Sequence, residues 1–205
     1  MDIDCDGDQK PTTANDNRCE ASTDTQARTR FREKVRRYGI PDLNPHVHTY
    51  VVFGNEGSKP RWPVFDPQQQ GIKPLSVMAV VCNNKLIYGV WGDTNGDDGS
   101  QAMVGEASIS LATACFGDSM TGGNGHNGND ILYLAFPGRD AVPGAHGADW
   151  NASTFQQFER SLAPVGDRLL RRIAIPKKSL AMPTHTIRPA LTLLVALVAF
   201  ASLGA

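Results

Sequence analysis

The chain has 205 residues, of which 40% are hydrophobic and 20 are glycine, so it fits one globular domain with tails rather than two domains. Its formal net charge of -1 conceals an uneven distribution. Residues 1–39 are neutral, residues 40–165 carry a net charge of -6 and residues 166–205 carry +5. An acidic centre repels phosphates and attracts cations, which argues against a nucleic-acid partner.

The first predicted elements follow a polar loop at residues 9–27. Residues 29–38 predict a short charged helix that Gly39 and Pro41 end. Runs rich in β-branched and aromatic residues then predict five strands. These runs are residues 49–53, 75–82, 85–91, 107–112 and 130–136. Asn83 and Asn84 join the second and third runs at the spacing of a two-residue hairpin, and strands at this rhythm predict a small barrel or sandwich.

A single longer helix is predicted over residues 154–172, where apolar side chains recur at three- and four-residue steps. Ser153 or Thr154 can cap its start, and Pro164 is expected to kink it or split it in two. A polar linker at residues 174–189 follows. It leads to an uncharged tail at residues 190–205, which is shorter than the roughly 20 residues of a spanning helix.

The tail and the start of the chain bear on location. The tail matches the layout of a lipid-anchor signal, while a tail-anchored helix and a buried C-terminal helix remain open. The chain opens Met1-Asp2-Ile3-Asp4, so no secretory signal peptide is visible, and an incomplete start and a cytosolic protein both remain open. We nevertheless expect a secreted protein, with any membrane attachment made through the tail.

The cysteines support export. Their spacings match neither a zinc pair nor a thioredoxin motif, and three disulfide pairings are possible. We favour Cys5 with Cys19 and Cys82 with Cys115, because the first bond would hold a polar N-terminal segment that has little core of its own. The alternative is four buried free thiols in a cytosolic protein.

Residues 88–111 hold the candidate chemistry. Asp93 follows Trp91 in a glycine-rich turn, and Glu106 lies 13 residues later between Gly105 and Ala107. Two carboxyl groups at neighbouring strand ends, one protonated and one ionised, are what the hydrolysis of a glycosidic bond requires. The ordinary alternative is an Asp in an Asx turn and a solvated Glu.

Four further residues are candidates for substrate binding. Trp91 could offer a flat apolar face to a sugar ring, and Asn95, Asp97 and Asp130 could offer polar groups. Residues 2–7 resemble the first half of a calcium loop, but the position of its last acid is occupied by Thr13. We therefore predict neither a metal nor a cofactor.

Several blocks together resemble the fungal-type chitosanases of glycoside hydrolase family 75. They are MDIDCDG, IPDLN, YVVFGNEG, PLSVMAVVCNN, WGDTNG, GEAS, DILYLAFPG and AVPGAHGADWNASTFQQFE, which extend over residues 1–170. The resemblance implies Asp93 and Glu106 as the essential acids and endo-hydrolysis of β-1,4-linked glucosamine polymer with inversion. It also implies a compact β-barrel akin to the double-psi type. With the predicted elements, we expect a mainly β (α+β) fold, with a small six-stranded barrel and one C-terminal helix.

We therefore predict a monomeric endo-chitosanase that acts on a cationic polysaccharide. Residues 1–28 would form a disulfide-stapled part of the catalytic domain, whose main part is residues 29–173. Glu106 would be the general acid and Asp93 the base that activates water. The rival prediction is a non-catalytic polysaccharide-binding module on the same barrel.

Overall fold

The computed structural model describes residues 1–8, 10, 14–57, 59–61, 63–96 and 104–173. The predicted linker, the predicted tail and Asp97 lie outside the described residues. The strands are β1 Asp2–Asp4, β2 Tyr50–Asn55, β3 Val77–Cys82, β4 Lys85–Asn95, β5 Val104–Ser108 and β6 Leu132–Ala135. The helices are α1 Arg32–Val35, α2 Ile109–Phe116 and α3 Phe155–Leu170. No helix in the described ranges is both long and apolar enough to cross a membrane.

The six strands form one mixed sheet in the order β1-β5-β2-β4-β3-β6. The number of strands and the mainly β, α+β class match the prediction, but the closed barrel does not. Among the described residues the short edge strands β1 and β6 do not pair with each other, so the sheet stays open. The sheet nevertheless curves enough to bring β6, at one edge, to β5, next to the other edge. The Tyr133 hydroxyl of β6 donates to the Gly105 carbonyl of β5 at 2.8 Å.

The predicted hairpin between β3 and β4 is confirmed. Cys82 pairs with Lys85, and the two residues between them, Asn83 and Asn84, have φ angles of 45° and 57°. Asparagine tolerates this left-handed conformation, which a tight hairpin turn requires. The strand that leaves the turn continues past its predicted end at Trp91 to Asn95, so β4 carries Asp93 within the sheet rather than in a turn beyond it.

The strand predicted at residues 107–112 is wrong beyond Ser108. There the Ser108 hydroxyl accepts a hydrogen bond from the Leu111 amide at 3.3 Å and caps the start of α2. Residues 107–112 fit either a strand or a helix, because α2 is buried on most sides and therefore shows no polar face in its sequence. Strand β1 was not predicted at all, although Ile3 and Cys5 are buried and alternate with acids.

Two helices are predicted, and the structure adds α2. Within the helix predicted at residues 29–38, residues 32–35 form α1 and residues 36–38 form a 3₁₀ turn, which Gly39 ends at a φ of 96°. In α3 the Thr154 hydroxyl caps the Gln157 amide as predicted, but the helix runs through Pro164 without a break. Buried Phe158 and Leu162 before the proline, and Leu169 after it, pack both halves into one core.

Both predicted disulfides are present. Cys5 bonds to Cys19, which ties the segment after β1 to a 3₁₀ turn, and Cys82 bonds to Cys115, which ties β3 to α2. The first bond closes a stretch that carries little apolar surface, so it fixes the position of β1 against β5.

Candidate active site

A polar groove of about 490 Å³ is lined by the N-terminal segment and by residues of β2, β4 and β5. Its acidic lining residues are Asp4, Asp6, Asp24, Glu56, Asp93 and Glu106. Its basic lining residues are Arg28 and Arg30. The excess of acids makes the groove suited to a cationic ligand.

Strand register brings the two predicted catalytic acids together. Strand β2 lies between β4 and β5, and its Val52 pairs with Asp93 on one side and with Glu106 on the other. Residues directly opposite each other in a sheet point to the same face, so both carboxyl groups project from one face on either side of Val52. Two strand spacings separate their Cα atoms by about 9.6 Å.

A glycine and a register shift precede each acid. Along β2, the pairing steps from Val51 opposite Trp91 to Val52 opposite Asp93, which leaves Gly92 as an extra residue in β4. The same shift occurs around Gly105 in β5. Such bulges re-aim the next side chain. Trp91 and Asp93, two residues apart, consequently point to opposite faces.

Both glycines are required by their surroundings. A Cβ on Gly92 would lie 2.5 Å from the Cβ atom of Tyr50, which leaves no room for a side chain. Gly105 has a φ of 108°, a conformation that other residues rarely adopt. The Gly-Asp and Gly-Glu pairs are therefore structural features that aim the acids.

Asp93 is held rigidly. Its Oδ1 accepts hydrogen bonds from the backbone N–H groups of Arg30 at 2.9 Å and Thr94 at 2.7 Å, and its carbonyl accepts from the Trp91 indole at 2.8 Å. The side chain is only 6% exposed, and this burial raises the pKa of Asp93 to about 7 although the two amides oppose the shift. Asp93 can therefore exchange a proton near neutral pH.

Glu106 has a similar pKa, and burial is again its first cause, but the neighbouring groups differ. Burial is the main cause that raises the pKa of Glu106 to about 7, and the negative charge of Asp2, its partner on β1, adds to it. A hydrogen bond from the Asn95 side chain acts in the opposite direction. Glu106 is thus protonated in mildly acidic solution, where it can donate a proton.

Two further acids of the site were not predicted. Asp4 Oδ1 accepts from the Asp6 amide and Asp6 Oδ1 accepts from the Gln26 amide, both at 2.6 Å. Burial, followed by the charge of Asp93, raises the pKa of Asp4 well above its ordinary value. One carboxylate oxygen from each of Asp4, Asp6 and Asp93 lies within 4.8 Å of the others, a spacing that a hard cation can bridge.

The predicted substrate-binding residues have separate outcomes. Asn95 lines the groove, whereas Trp91 is 2% exposed and its ring packs edge-on against Phe31 at 5.0 Å. Trp91 therefore supports Asp93 from the core and offers no face to a sugar, which corrects the prediction. Asp130 does not line the groove, and its carboxylate accepts from His126 Nε2 at 2.7 Å.

A match to a sequence family places the chain among the glycoside hydrolases. The sequence model of the fungal chitosanases of glycosyl hydrolase group 75 matches residues 1–172. An endo-chitosanase of Aspergillus oryzae (strain ATCC 42149 / RIB 40) is 47% identical over 171 residues, which are 83% of this chain and 66% of that protein. An endo-chitosanase of Aspergillus fumigatus is 47% identical over 173 residues, 83% of this chain and 67% of that protein.

A more distant relative, endo-chitosanase C of Aspergillus oryzae, is 31% identical over 175 residues, 85% of this chain and 39% of that protein. The chain belongs to the fungal chitosanase family, glycosyl hydrolase group 75, as its sequence blocks predicted. It spans about two thirds of the length of the first two relatives and less than half of the third.

Proposed function

We propose that this protein cleaves internal β-1,4-glucosaminidic bonds of chitosan with inversion of configuration. The observation that carries the proposal is the register in which Asp93 and Glu106 flank Val52 on one face of the sheet, within one acidic groove. Family membership supports chitosan as the polymer, since the relatives above are named endo-chitosanases. The two disulfides support work in an oxidising compartment, as expected for a secreted protein.

The spacing of the strands that carry the two acids is compatible with inversion. Inverting enzymes hold their carboxyl groups about 6.5–9.5 Å apart to admit a water molecule, while retaining enzymes hold them about 5–5.5 Å apart. The two Cα atoms stand two strand spacings apart, at about 9.6 Å, and both side chains leave the same face. This geometry is compatible with a water molecule on one side of the sugar and a proton donor on the other.

The surroundings of each acid suggest its role. In our proposal Glu106 donates a proton to the leaving oxygen, because burial and Asp2 keep it protonated. Asp93 accepts a proton from the attacking water, because the amides of Arg30 and Thr94 stabilise its ionised form through Oδ1. No hydrogen bond within the described residues occupies Asp93 Oδ2, which leaves that oxygen for the water.

The test is to incubate the protein with soluble chitosan and with chitin oligomers, to count new reducing ends and to follow the anomers by NMR. We expect cleavage of chitosan with the α-anomer released first. Asp93→Asn and Glu106→Gln should each lower kcat at least about 100-fold. Glu33→Gln, at an exposed acid away from the groove, serves as the matched control.

Two results would contradict the proposal in different ways. Initial release of the β-anomer would refute inversion and leave hydrolysis intact. Binding of chitosan without new reducing ends would instead support a non-catalytic polysaccharide-binding module.

A further inference from the structure

We propose that Glu56 is an ammonium-binding residue of the groove and that Arg30 occupies it until a glucosamine unit displaces the guanidinium. The inference rests on the proposed function, since it concerns how the same groove recognises its polymer. It assigns a specificity role to two residues outside the acid pair.

The contact itself is direct. The Arg30 Nη2 atom lies 2.8 Å from Glu56 Oε1, and both residues line the groove that holds Asp93 and Glu106. An intramolecular cation therefore already sits on a groove carboxylate. The Glu56 carboxylate offers the negative charge that the ammonium group of a glucosamine unit would need.

Both ends of this ion pair are anchored by their backbones. Thr29, just before Arg30, is fixed by Asp42, whose carboxylate accepts from the Thr29 amide at 3.0 Å and from its hydroxyl at 2.5 Å. The Glu56 amide donates to the Asn95 carbonyl at 2.9 Å. The guanidinium can thus swing away from Glu56 while the Arg30 amide stays on Asp93.

The pair is exposed enough to exchange partners. The Arg30 side chain is 58% exposed and the Glu56 side chain 43% exposed. An ion pair in such surroundings contributes little net stability, because solvent screens it and both side chains lose freedom. A substrate ammonium can therefore replace the guanidinium at little cost.

The exchange also predicts selectivity. A glucosamine unit brings a positive charge to Glu56, whereas an N-acetylglucosamine unit is neutral and leaves the Arg30–Glu56 pair intact. The site at Glu56 should accordingly prefer deacetylated units. Asp4, Asp6 and Asp93 also line the groove but suit this purpose less, since they are at most 9% exposed, whereas the Glu56 side chain is 43% exposed.

The test measures binding in the Glu106→Gln background, so that hydrolysis does not intervene. Calorimetry at low ionic strength gives Kd for the hexamers of glucosamine and of N-acetylglucosamine. We expect Glu56→Gln to raise Kd for the glucosamine hexamer about fivefold, the upper end for an exposed ion pair, and Arg30→Gln to lower it up to about fivefold. Neither change should alter Kd for the acetylated hexamer.

Arg28→Gln is the matched control. Arg28 lines the same groove and carries the same charge, but no described carboxylate lies within ion-pair distance of it. If Arg28→Gln lowers Kd as much as Arg30→Gln, or if Arg30→Gln still lowers Kd after Glu56→Gln, the net charge of the groove is responsible and the exchange is refuted. Glu56→Ala provides a second variant, and thermal melting checks that each protein is folded.

Hydrolysis of chitosan by the unchanged chain separates the two proposals. Cleavage together with a Kd that is independent of Glu56 overturns the exchange alone. Failure to bind or cleave chitosan overturns the proposed function and the exchange with it.

Discussion

Replacing the proposed general acid should make the protein more stable above neutral pH. In Glu106→Gln the side chain keeps its shape and can still bond to the Asn95 side chain, but it no longer ionises. Below about pH 4.5 the wild-type carboxyl group is protonated in both the folded and the unfolded chain, so the two proteins should be equally stable. As pH rises further, the unfolded chain loses this proton first.

The size of the effect follows from the pKa. Glu106 has an ordinary value of 4.5 and a folded value of about 7. Across that interval the wild-type chain loses stability at about 1.4 kcal/mol per pH unit, which amounts to about 3 kcal/mol by pH 8. For a domain of this size this corresponds to a melting temperature about 6–12 °C higher for the variant at pH 8.

The assay is urea unfolding of both proteins at pH 4, 6 and 8 with the disulfides intact. The stability difference should be close to zero at pH 4 and grow through pH 6 to pH 8. Glu33→Gln is the control, because its side chain is 75% exposed and should show no such trend. If Glu106→Gln and the wild type keep the same stability at pH 8, Glu106 is not protonated by burial and its role as acid loses its physical basis.

Three other outcomes are expected. The kcat/KM for glucosamine hexamer should peak near pH 7, because Asp93 and Glu106 both have a pKa of about 7 and one must be ionised while the other is protonated. A flat profile from pH 5 to 9 would contradict the roles of the two acids. Gly92→Ala should lower the free energy of unfolding in urea by about 1–3 kcal/mol and lower kcat, since the added Cβ has no space. Wild-type values would show that the bulge can adapt. The double variant Cys82→Ser, Cys115→Ser should lower the free energy of unfolding by about 4 kcal/mol, because the disulfide joins residues 33 apart. No loss would mean that this part of the unfolded chain is already compact.

Local sequence signals are sufficient for three central strands of the sheet. The β-branched and aromatic runs of β2, β3 and β4 and the Asn83-Asn84 turn are encoded within a few residues, as is the position of Asp93 after Trp91. The order in which the strands pair is not encoded locally. That β2 lies between β4 and β5, and so places both acids beside Val52, depends on contacts distant in sequence.

The errors have physical causes that can be named. Trp91 was expected at the groove because it neighbours Asp93, but the bulge at Gly92 turns the two side chains to opposite faces, and a bulge leaves no periodic signal. The apolar run after Glu106 predicts a strand, although Ser108 before an apolar stretch is a recognisable N-cap.

The sequence of strand β1 fits two patterns, a strand and part of a calcium loop. The alternation of Asp2, Ile3, Asp4, Cys5 and Asp6 has the period of a strand with one buried face, while the same letters form half of a calcium loop. The structure buries Ile3 and Cys5 and presents Asp4 and Asp6 to the groove. Acids at alternate positions thus marked one wall of the site.

The N-terminal segment connects stability to chemistry. Burial is the largest cause of the raised pKa values of Asp93 and Glu106, and the segment that carries Asp4 and Arg30 covers both. This segment has little apolar surface of its own, so the Cys5–Cys19 bond and its backbone contacts hold it in place. In the proposed mechanism the disulfide therefore serves catalysis through the pKa values of the acids, because a segment that moved away would admit water and return both carboxyl groups toward their ordinary, ionised state.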